Sequence, residues 1–320
     1  MDKICEELYK IGIVPVIAID DAKDAAPLAE ALIKGGLPAA EVTFRTEAAE
    51  EAIRIISKEF PEMIVGAGTV LNAEQADRAK AAGAKFIVSP GFNRSNVEYI
   101  KSIGVPVVPG TATPGEVEQA IELGLDCVKF FPAEQNGGIA KIKAMAAPYT
   151  KMHFMPTGGI NKNNLNDYLG FNKVFCCGGS WMVKKDLISA GKFDEIEAMT
   201  KDAVNAMLGF TMKHIGINEN DAASAEATAD KFVSLFGFTK KVGNSSVFAG
   251  NVIEVMKAKG RGANGHIAIG TNNVDRAVYH LGRQGVKFDE SSFKYDADNH
   301  LKVAYLADEL GGFAVHLVNN

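Results

Sequence analysis

No stretch of this sequence approaches the ~18 uninterrupted apolar residues of a membrane-spanning helix, and Asp2, Lys3, Glu6 and Glu7 interrupt the amino-terminal region where a signal peptide needs an apolar core. A cytoplasmic protein that does not engage a membrane is the expectation. There is no run of Lys and Arg, and a formal net charge of −5 argues against nucleic acid as a partner. Cysteine is scarce, and Cys5, Cys127, Cys176 and Cys177 show no Cys-x-x-Cys spacing, so they read as small buried hydrophobes in a reducing compartment. What is present is an ordinary globular composition, 47% hydrophobic and 23% charged, in a chain of 320 residues. Single cores usually stop growing near ~250 to 300 residues, so two domains are expected.

From residue 13 to about 207, short β-rich runs alternate with helical patterns. The runs are Val14–Ile19, Ala40–Phe44, Ile64–Ala67, Phe86–Ser89, Val105–Pro109, Cys127–Phe130, His153–Pro156 and Val174–Cys177. Between them lie amphipathic segments such as Ala25–Lys34, Glu47–Lys58, Ala73–Ala82 and Pro114–Leu123, several closed by a glycine: Gly35, Gly83, Gly104 and Gly124. Strands this apolar, alternating with helices, call for a parallel sheet covered on both faces and closed on itself, an α/β fold of the (β/α)8 TIM-barrel kind over residues 1–208. The segment Asp2–Ile11 is expected to cover the bottom of the barrel, and Lys192–Leu208 to form its last long helix. Residues 214–320 read differently, because the segment repeats itself once. His214-Ile215-Gly216-Ile217 returns as His266-Ile267-Ala268-Ile269, and Gly250 to Val255 returns as Gly312 to Leu317. With a helix in each copy (Ala223–Phe236 and Val274–Gln284), an α+β domain of two βαβββ modules is implied.

Lys129 is the most informative residue. It stands within Val128-Lys129-Phe130-Phe131-Pro132, at the end of an apolar strand. A lysine there can snorkel to water, but an amine among apolar groups also sheds its proton more readily and can then attack a ketone. Active sites of barrels gather at the carboxyl ends of the strands, and the other strand ends supply the rest of a site. Alternation on the second strand puts Glu41, Thr43 and Arg45 on one side; they either pair with one another or serve a substrate. The third strand ends in Gly66-Ala67-Gly68-Thr69 and the fourth in Ser89-Pro90-Gly91. The seventh and eighth end in Thr157-Gly158-Gly159 and Gly178-Gly179-Ser180, in the loops where barrels commonly hold phosphate on backbone N–H groups. One nucleophilic lysine, one carboxylate to move protons, one arginine for a substrate carboxylate and an anion cradle suit a Schiff base with a 2-keto acid, with no metal in the route.

These blocks resemble the class I 2-keto-3-deoxy-6-phosphogluconate (KDPG)/4-hydroxy-2-oxoglutarate aldolases. The matching motifs are Glu41-Val42-Thr43-Phe44-Arg45-Thr46, Gly66-Ala67-Gly68-Thr69-Val70, Ser89-Pro90-Gly91, Lys129-Phe130-Phe131-Pro132-Ala133-Glu134, Pro156-Thr157-Gly158-Gly159-Ile160 and Gly178-Gly179-Ser180-Trp181. The resemblance implies that Lys129 forms the Schiff base and Glu41 is the general acid/base. Arg45, Thr69 and Pro90 would surround the pyruvyl carboxylate, with Phe131 beside the imine, Thr157 facing the substrate, and Gly158, Gly159 and Ser180 on the phosphate. It also implies a homotrimer, a keto acid substrate and no cofactor. Thr111-Ala112-Thr113, in the loop of the fifth strand, is where substrate preference could be tuned.

The repeated segment resembles the vicinal-oxygen-chelate superfamily, the glyoxalase and bleomycin-resistance type of fold, through Val252-Ile253-Glu254 and Gly265-His266-Ile267-Ala268. In its metal-binding members the ligands come from the first and last strands of each module, which here carry His214, Glu254, His266 and His316. A divalent metal (Zn²⁺, Ni²⁺, Co²⁺, Mn²⁺ or Fe²⁺) would suit them. Glyoxalase I carries a catalytic Glu where this chain has His316, so metal binding does not bring that activity with it. His280 and His300 are expected on the solvent side. Two other readings stand beside these: an isomerase or epimerase on a phosphate-binding barrel, and a non-catalytic binding or assembly module for residues 214–320.

Overall fold

The computed structural model describes all 320 residues, which divide into two compact units, Met1–Met207 and Leu208–Asn320. In the first unit the strands are β1 (Ile13–Ile17), β2 (Ala39–Thr43), β3 (Ile64–Gly68), β4 (Ile87–Val88), β5 (Val107–Val108), β6 (Gly110–Thr111), β7 (Cys127–Phe130), β8 (His153–Pro156) and β9 (Cys177–Gly179). All pairings are parallel, in the order β5-β4-β3-β2-β1-β9 and β6-β7-β8. The bridges Phe154–Val174 and Thr157–Gly178 carry the sheet on from β8 toward β9. A helix follows almost every strand, which makes this a (β/α)8-type arrangement. Every residue of β1 and β2 is buried, as strands covered on both faces must be.

Helix boundaries follow the local signals closely. Ala25–Lys34 ends as anticipated, and Pro114–Glu122 begins at a capping box in which Thr113 and Glu116 satisfy each other's backbone. Lys3–Ile11 is capped by Asp2 and buries Cys5, Leu8 and Ile11. Two strand readings need correction. The fifth strand is split into β5 and β6 at Pro109, which has no N–H to donate, although its carbonyl still accepts from Lys129 N–H at 2.9 Å. The eighth strand lies later than expected, because Val174 makes only a single bridge and pairing with β1 begins at Cys177. Gly35 caps the carboxyl end of Ala25–Lys34 as expected, in a right-handed conformation, and serves close packing, since a Cβ there would fall 2.4 Å from Thr200 Cβ; Gly36 takes the left-handed turn.

In the second unit the strands are β10 (Thr211–Asn218), β11 (Lys240–Val242), β12 (Ser246–Ala249), β13 (Ile253–Met256), β14 (Gly265–Thr271), β15 (Phe288–Tyr295), β16 (Leu301–Leu306) and β17 (Phe313–Asn319). They form one mixed sheet in the order β11-β12-β13-β10-β14-β17-β16-β15. Helix Ala222–Phe236 follows β10 and packs Ala225 and Ala229 on Val247 and Val255; helix Val274–Arg283 follows β14. His280 is not on the solvent side. It is 2% exposed and shares the inner stripe of its helix with Val274 and Ala277, at the i, i+3, i+6 spacing of a buried face, and with Arg276 four residues before it. His300 is partly buried, with Nδ1 3.2 Å from Asp275 Oδ2.

Gly66 shows how tightly the barrel is filled, because a Cβ there would lie 2.4 Å from the fully buried Phe86 ring. Gly66→Ala should cost about 1–3 kcal/mol through overpacking, read as a lower denaturation midpoint. An unchanged midpoint would show that the ring can yield without cost.

Candidate functional site

The barrel strands bring two ionisable groups together inside the sheet. Lys129 on β7 and Glu41 on β2 are 88 positions apart in sequence, yet Lys129 Nζ lies 3.1 Å from Glu41 Oε1. Both are buried, Lys129 at 5% exposure and Glu41 at 0%. Glu41 Oε2 has no hydrogen-bond partner, so one carboxylate oxygen remains available to another group. Room for the carboxylate comes from Gly68 on β3, where a Cβ would fall 2.3 Å from Oε1. On the other side of the amine, the Phe131 ring centre is 5.3 Å from Nζ.

A cavity of about 580 Å³ is lined by Phe131, the ring next to Lys129, although Lys129 and Glu41 themselves are not among its lining residues. Of the residues singled out from sequence, Arg45, Phe131, Thr157, Gly158, Gly159 and Ser180 line it. Thr69 and Pro90 do not: they stand at the ends of the third and fourth strands, with Thr69 held at a left-handed φ of 57° that a β-branched residue adopts only under constraint. Arg45 does not pair with Glu41, because β2 ends at Thr43 and the chain turns, leaving Arg45 exposed at the cavity wall. Thr43 instead donates to the Ile17 carbonyl at 2.8 Å.

The glycine-rich wall is built by local geometry. Gly158 and Gly159 have φ of 101° and 82°, which a side chain would disfavour. The loop is tied to the end of β7 by Ala133 N–H donating to Thr157 O at 2.8 Å and Glu134 N–H to Gly158 O at 3.1 Å. Tyr168 donates its hydroxyl to Glu134 Oε1, fixing the acid under the loop. Burial, helped by that carboxylate, pushes the Tyr168 phenol up. Sequence reasoning assigned no role to Trp181, Lys184 and Lys185, cavity residues whose contribution depends on how the segment after β9 folds back.

The second unit gathers a different set. Strand register places Glu254 (β13), Gly216 (β10) and His266 (β14) side by side, and His214 two residues along β10 on the same face. The His266 ring fills the space above Gly216, where a Cβ would lie 2.0 Å from it. His214 Nε2, His266 Nε2 and Glu254 Oε2 are mutually 3.1 Å apart. Ser246 donates to the other Glu254 oxygen at 2.7 Å, an orienting contact that the sequence did not point to. Burial works against the Glu254 carboxylate, yet the two imidazoles and Ser246 outweigh it and hold its carboxyl well below the usual range. His316 does not join the cluster. It pairs in register with Ala268, which separates it from His214 by an intervening strand, and its ring centre is 5.7 Å from that of His214 and 5.3 Å from that of His266. Tyr305 stacks on it at 4.5 Å. Burial, with His266 and His214 beside it, lowers the His316 pKa to about 4, so the ring is neutral at pH 7, and its Nδ1 is buried without a partner.

A parallel (β/α)8-type sheet with a buried lysine–carboxylate pair near a cavity lined by cationic side chains and glycines defines a lysine Schiff-base aldolase, a carbon–carbon lyase. Comparison with known proteins agrees. The family model "KDPG and KHG aldolase" matches residues 4–199, and the chain belongs to that family. The 2-dehydro-3-deoxy-phosphogluconate aldolase of Treponema pallidum is 48% identical over 204 residues, which are 64% of this chain and 97% of that protein. The KHG/KDPG aldolase of Escherichia coli K12 is 45% identical over 192 residues, 60% of this chain and 90% of that one. Among solved structures, KDPG aldolase from Legionella pneumophila, with pyruvate captured as a covalent carbinolamine, superposes with a TM-score of 0.60 at 36% identity, covering 62% of this chain and 97% of that one. No helix of the chain is long and apolar enough to cross a membrane.

Because a Cβ at position 68 would displace Glu41, Gly68→Ala should lower aldol-cleavage turnover by at least ~10² while circular dichroism stays unchanged. Full turnover in this variant would show that the Glu41–Lys129 contact is not required.

Proposed function

We propose that the barrel unit cleaves 2-keto-3-deoxy-6-phosphogluconate to pyruvate and glyceraldehyde 3-phosphate, and also 4-hydroxy-2-oxoglutarate to pyruvate and glyoxylate. The single observation that carries this reading is the buried 3.1 Å contact between Lys129 Nζ and Glu41 Oε1. Lys129 condenses with the C2 ketone, losing water to give an iminium. Glu41 takes the C4 hydroxyl proton, directly or through a water, the C3–C4 electron pair moves into the iminium, and the aldehyde leaves. Protonation of the enamine at C3 and hydrolysis then release pyruvate and the free amine. Arg45, Thr69 and Pro90 are assigned to the pyruvyl carboxylate, Phe131 and Thr157 to the reacting carbons, and Gly158, Gly159 and Ser180 to the phosphate. Similarity to aldolases over nearly their whole length supports the substrate class, and a homotrimer in the cytoplasm completes the family reading.

The isomerase alternative is separated by chemistry. Borohydride with pyruvate should add the mass of a reduced pyruvyl group to the peptide holding Lys129, and Lys129→Ala should abolish both adduct and cleavage. Glu41→Gln should slow turnover by ~10² to 10⁴. Absence of an adduct in the wild type would refute the Schiff-base route.

For the second unit we propose a vicinal-oxygen-chelate-type domain that holds a divalent metal on His214, Glu254 and His266, with His316 adjacent. Element order supports the resemblance, since strand, helix and three strands run twice in succession. The donor set fits a cation better than protons. If both Nε2 atoms donate to Glu254, two N–H groups confront each other at 3.1 Å; if one is an acceptor, its contact with the carboxylate is repulsive. A triangle of that size leaves a point about 2.1 Å from all three atoms, roughly 1 Å out of their plane, the usual Zn–N and Zn–O distance. A bound divalent ion would supply Lewis acidity toward a ligand oxygen. Metal analysis should find about one equivalent per chain, lost in His214→Ala and in Glu254→Ala, and Ser246→Ala should weaken binding by ~10- to 100-fold. No metal in protein purified without chelator and then dialysed against Zn²⁺ would favour the non-catalytic binding module.

A further inference from the structure

The cavity beside Lys129 carries three cationic side chains, Arg45, Lys184 and Lys185, and no carboxylate. They are not equivalent. Lys185 is already paired, with Nζ 2.9 Å from Asp20 Oδ2. Arg45 is the residue assigned above to the pyruvyl carboxylate. Lys184 is exposed, and its ammonium has neither a hydrogen bond nor an ion pair, while its backbone is anchored: its carbonyl accepts from Leu187 and Ile188 N–H, both at 3.1 Å. The side chain is thus a tethered cation left uncommitted on the wall that also carries Gly179 and Ser180.

We infer that Lys184 sets the preference of this site for keto acids that end in a phosphate monoester over those that end in a neutral hydroxyl. This rests on the aldolase reading of the barrel and adds a specificity residue to it. The glycine wall offers neutral N–H donors, which hold a hydroxyl oxygen or a phosphate oxygen alike. A phosphate monoester carries close to two negative charges at pH 7, and attraction to an ammonium scales with that charge, so an added cation discriminates where the neutral donors do not. The ammonium acts on the end of the substrate remote from the bonds that break, and it holds ground state and transition state equally. Its contribution therefore belongs in KM and not in kcat.

The test is steady-state kinetics of the full chain on 2-keto-3-deoxy-6-phosphogluconate and on its dephosphorylated counterpart, for wild type, Lys184→Ala and Lys184→Arg, with inorganic phosphate as a competing anion. Lys184→Ala should raise KM for the phosphorylated acid about tenfold, the size expected for loss of one charged hydrogen bond, with kcat little changed. The kcat/KM ratio between the two acids should narrow by the same factor. Inhibition by inorganic phosphate should weaken in parallel, and Lys184→Arg should restore most of both. An unchanged ratio and unchanged phosphate inhibition in Lys184→Ala would overturn the inference while leaving the aldolase reading intact. Failure of the wild type to cleave either acid would instead overturn the aldolase reading, and this inference with it.

Discussion

A lysine and a glutamate enclosed together in a barrel of apolar strands are the constraint on which the first unit depends. Taking either charge out of water alone costs several kcal/mol, and only the partner and well-placed hydrogen bonds offset it. Lys129 and Glu41 meet this condition only in part, because Glu41 Oε2 stays without a partner. A buried acceptor left open is a poor device for stability and a good one for moving protons, since a substrate hydroxyl or a water can complete it. The fold accommodates this by sparing space: Gly68 beside Glu41 and Gly66 beside Phe86 let the third strand approach its neighbours where any Cβ would collide.

A comparable economy of space organises the second unit. Gly216 lies between Glu254 and His266 in strand register, and the missing side chain gives the His266 ring a place to lie across the sheet toward His214. The three donor atoms are therefore positioned by backbone pairing on three adjacent strands, with Ser246 orienting the carboxylate from behind. His316 is on the same face but one strand further out, stacked against Tyr305. A period-2 pattern can place a residue on a face; how many strands separate it from another residue is decided by sheet order.

The same distinction explains what was legible beforehand. Helix limits followed from caps, glycines and apolar spacing, as at Ala25–Lys34 and at the Thr113 capping box. Strand limits were less faithful at Pro109 and around Val174, where pairing partners decide whether an extended segment becomes a strand. Arg45 was expected beside Glu41 because alternation was carried past the end of β2, and the turn there broke the pattern. His280 was misjudged because a histidine carries no apolar signal of its own, although Val274 and Ala277, six and three residues before it, face inward with it.

Residue chemistry and its local order belonged to the sequence alone: an amine at a strand end, a carboxylate on another strand, glycine pairs at two later strand ends, and a segment that repeats itself with histidines in matching places. These are properties of bonds and of neighbours a few residues apart. The tertiary structure decided which of those groups meet. Closure of the barrel sheet, and not any local preference, brings Glu41 within 3.1 Å of Lys129, the fold of the barrel places Lys184 on the cavity wall, and strand order in the second unit keeps His316 out of the three-atom cluster. Contacts between residues distant along the chain depend on strand order and register, which arise from the packing of the whole unit.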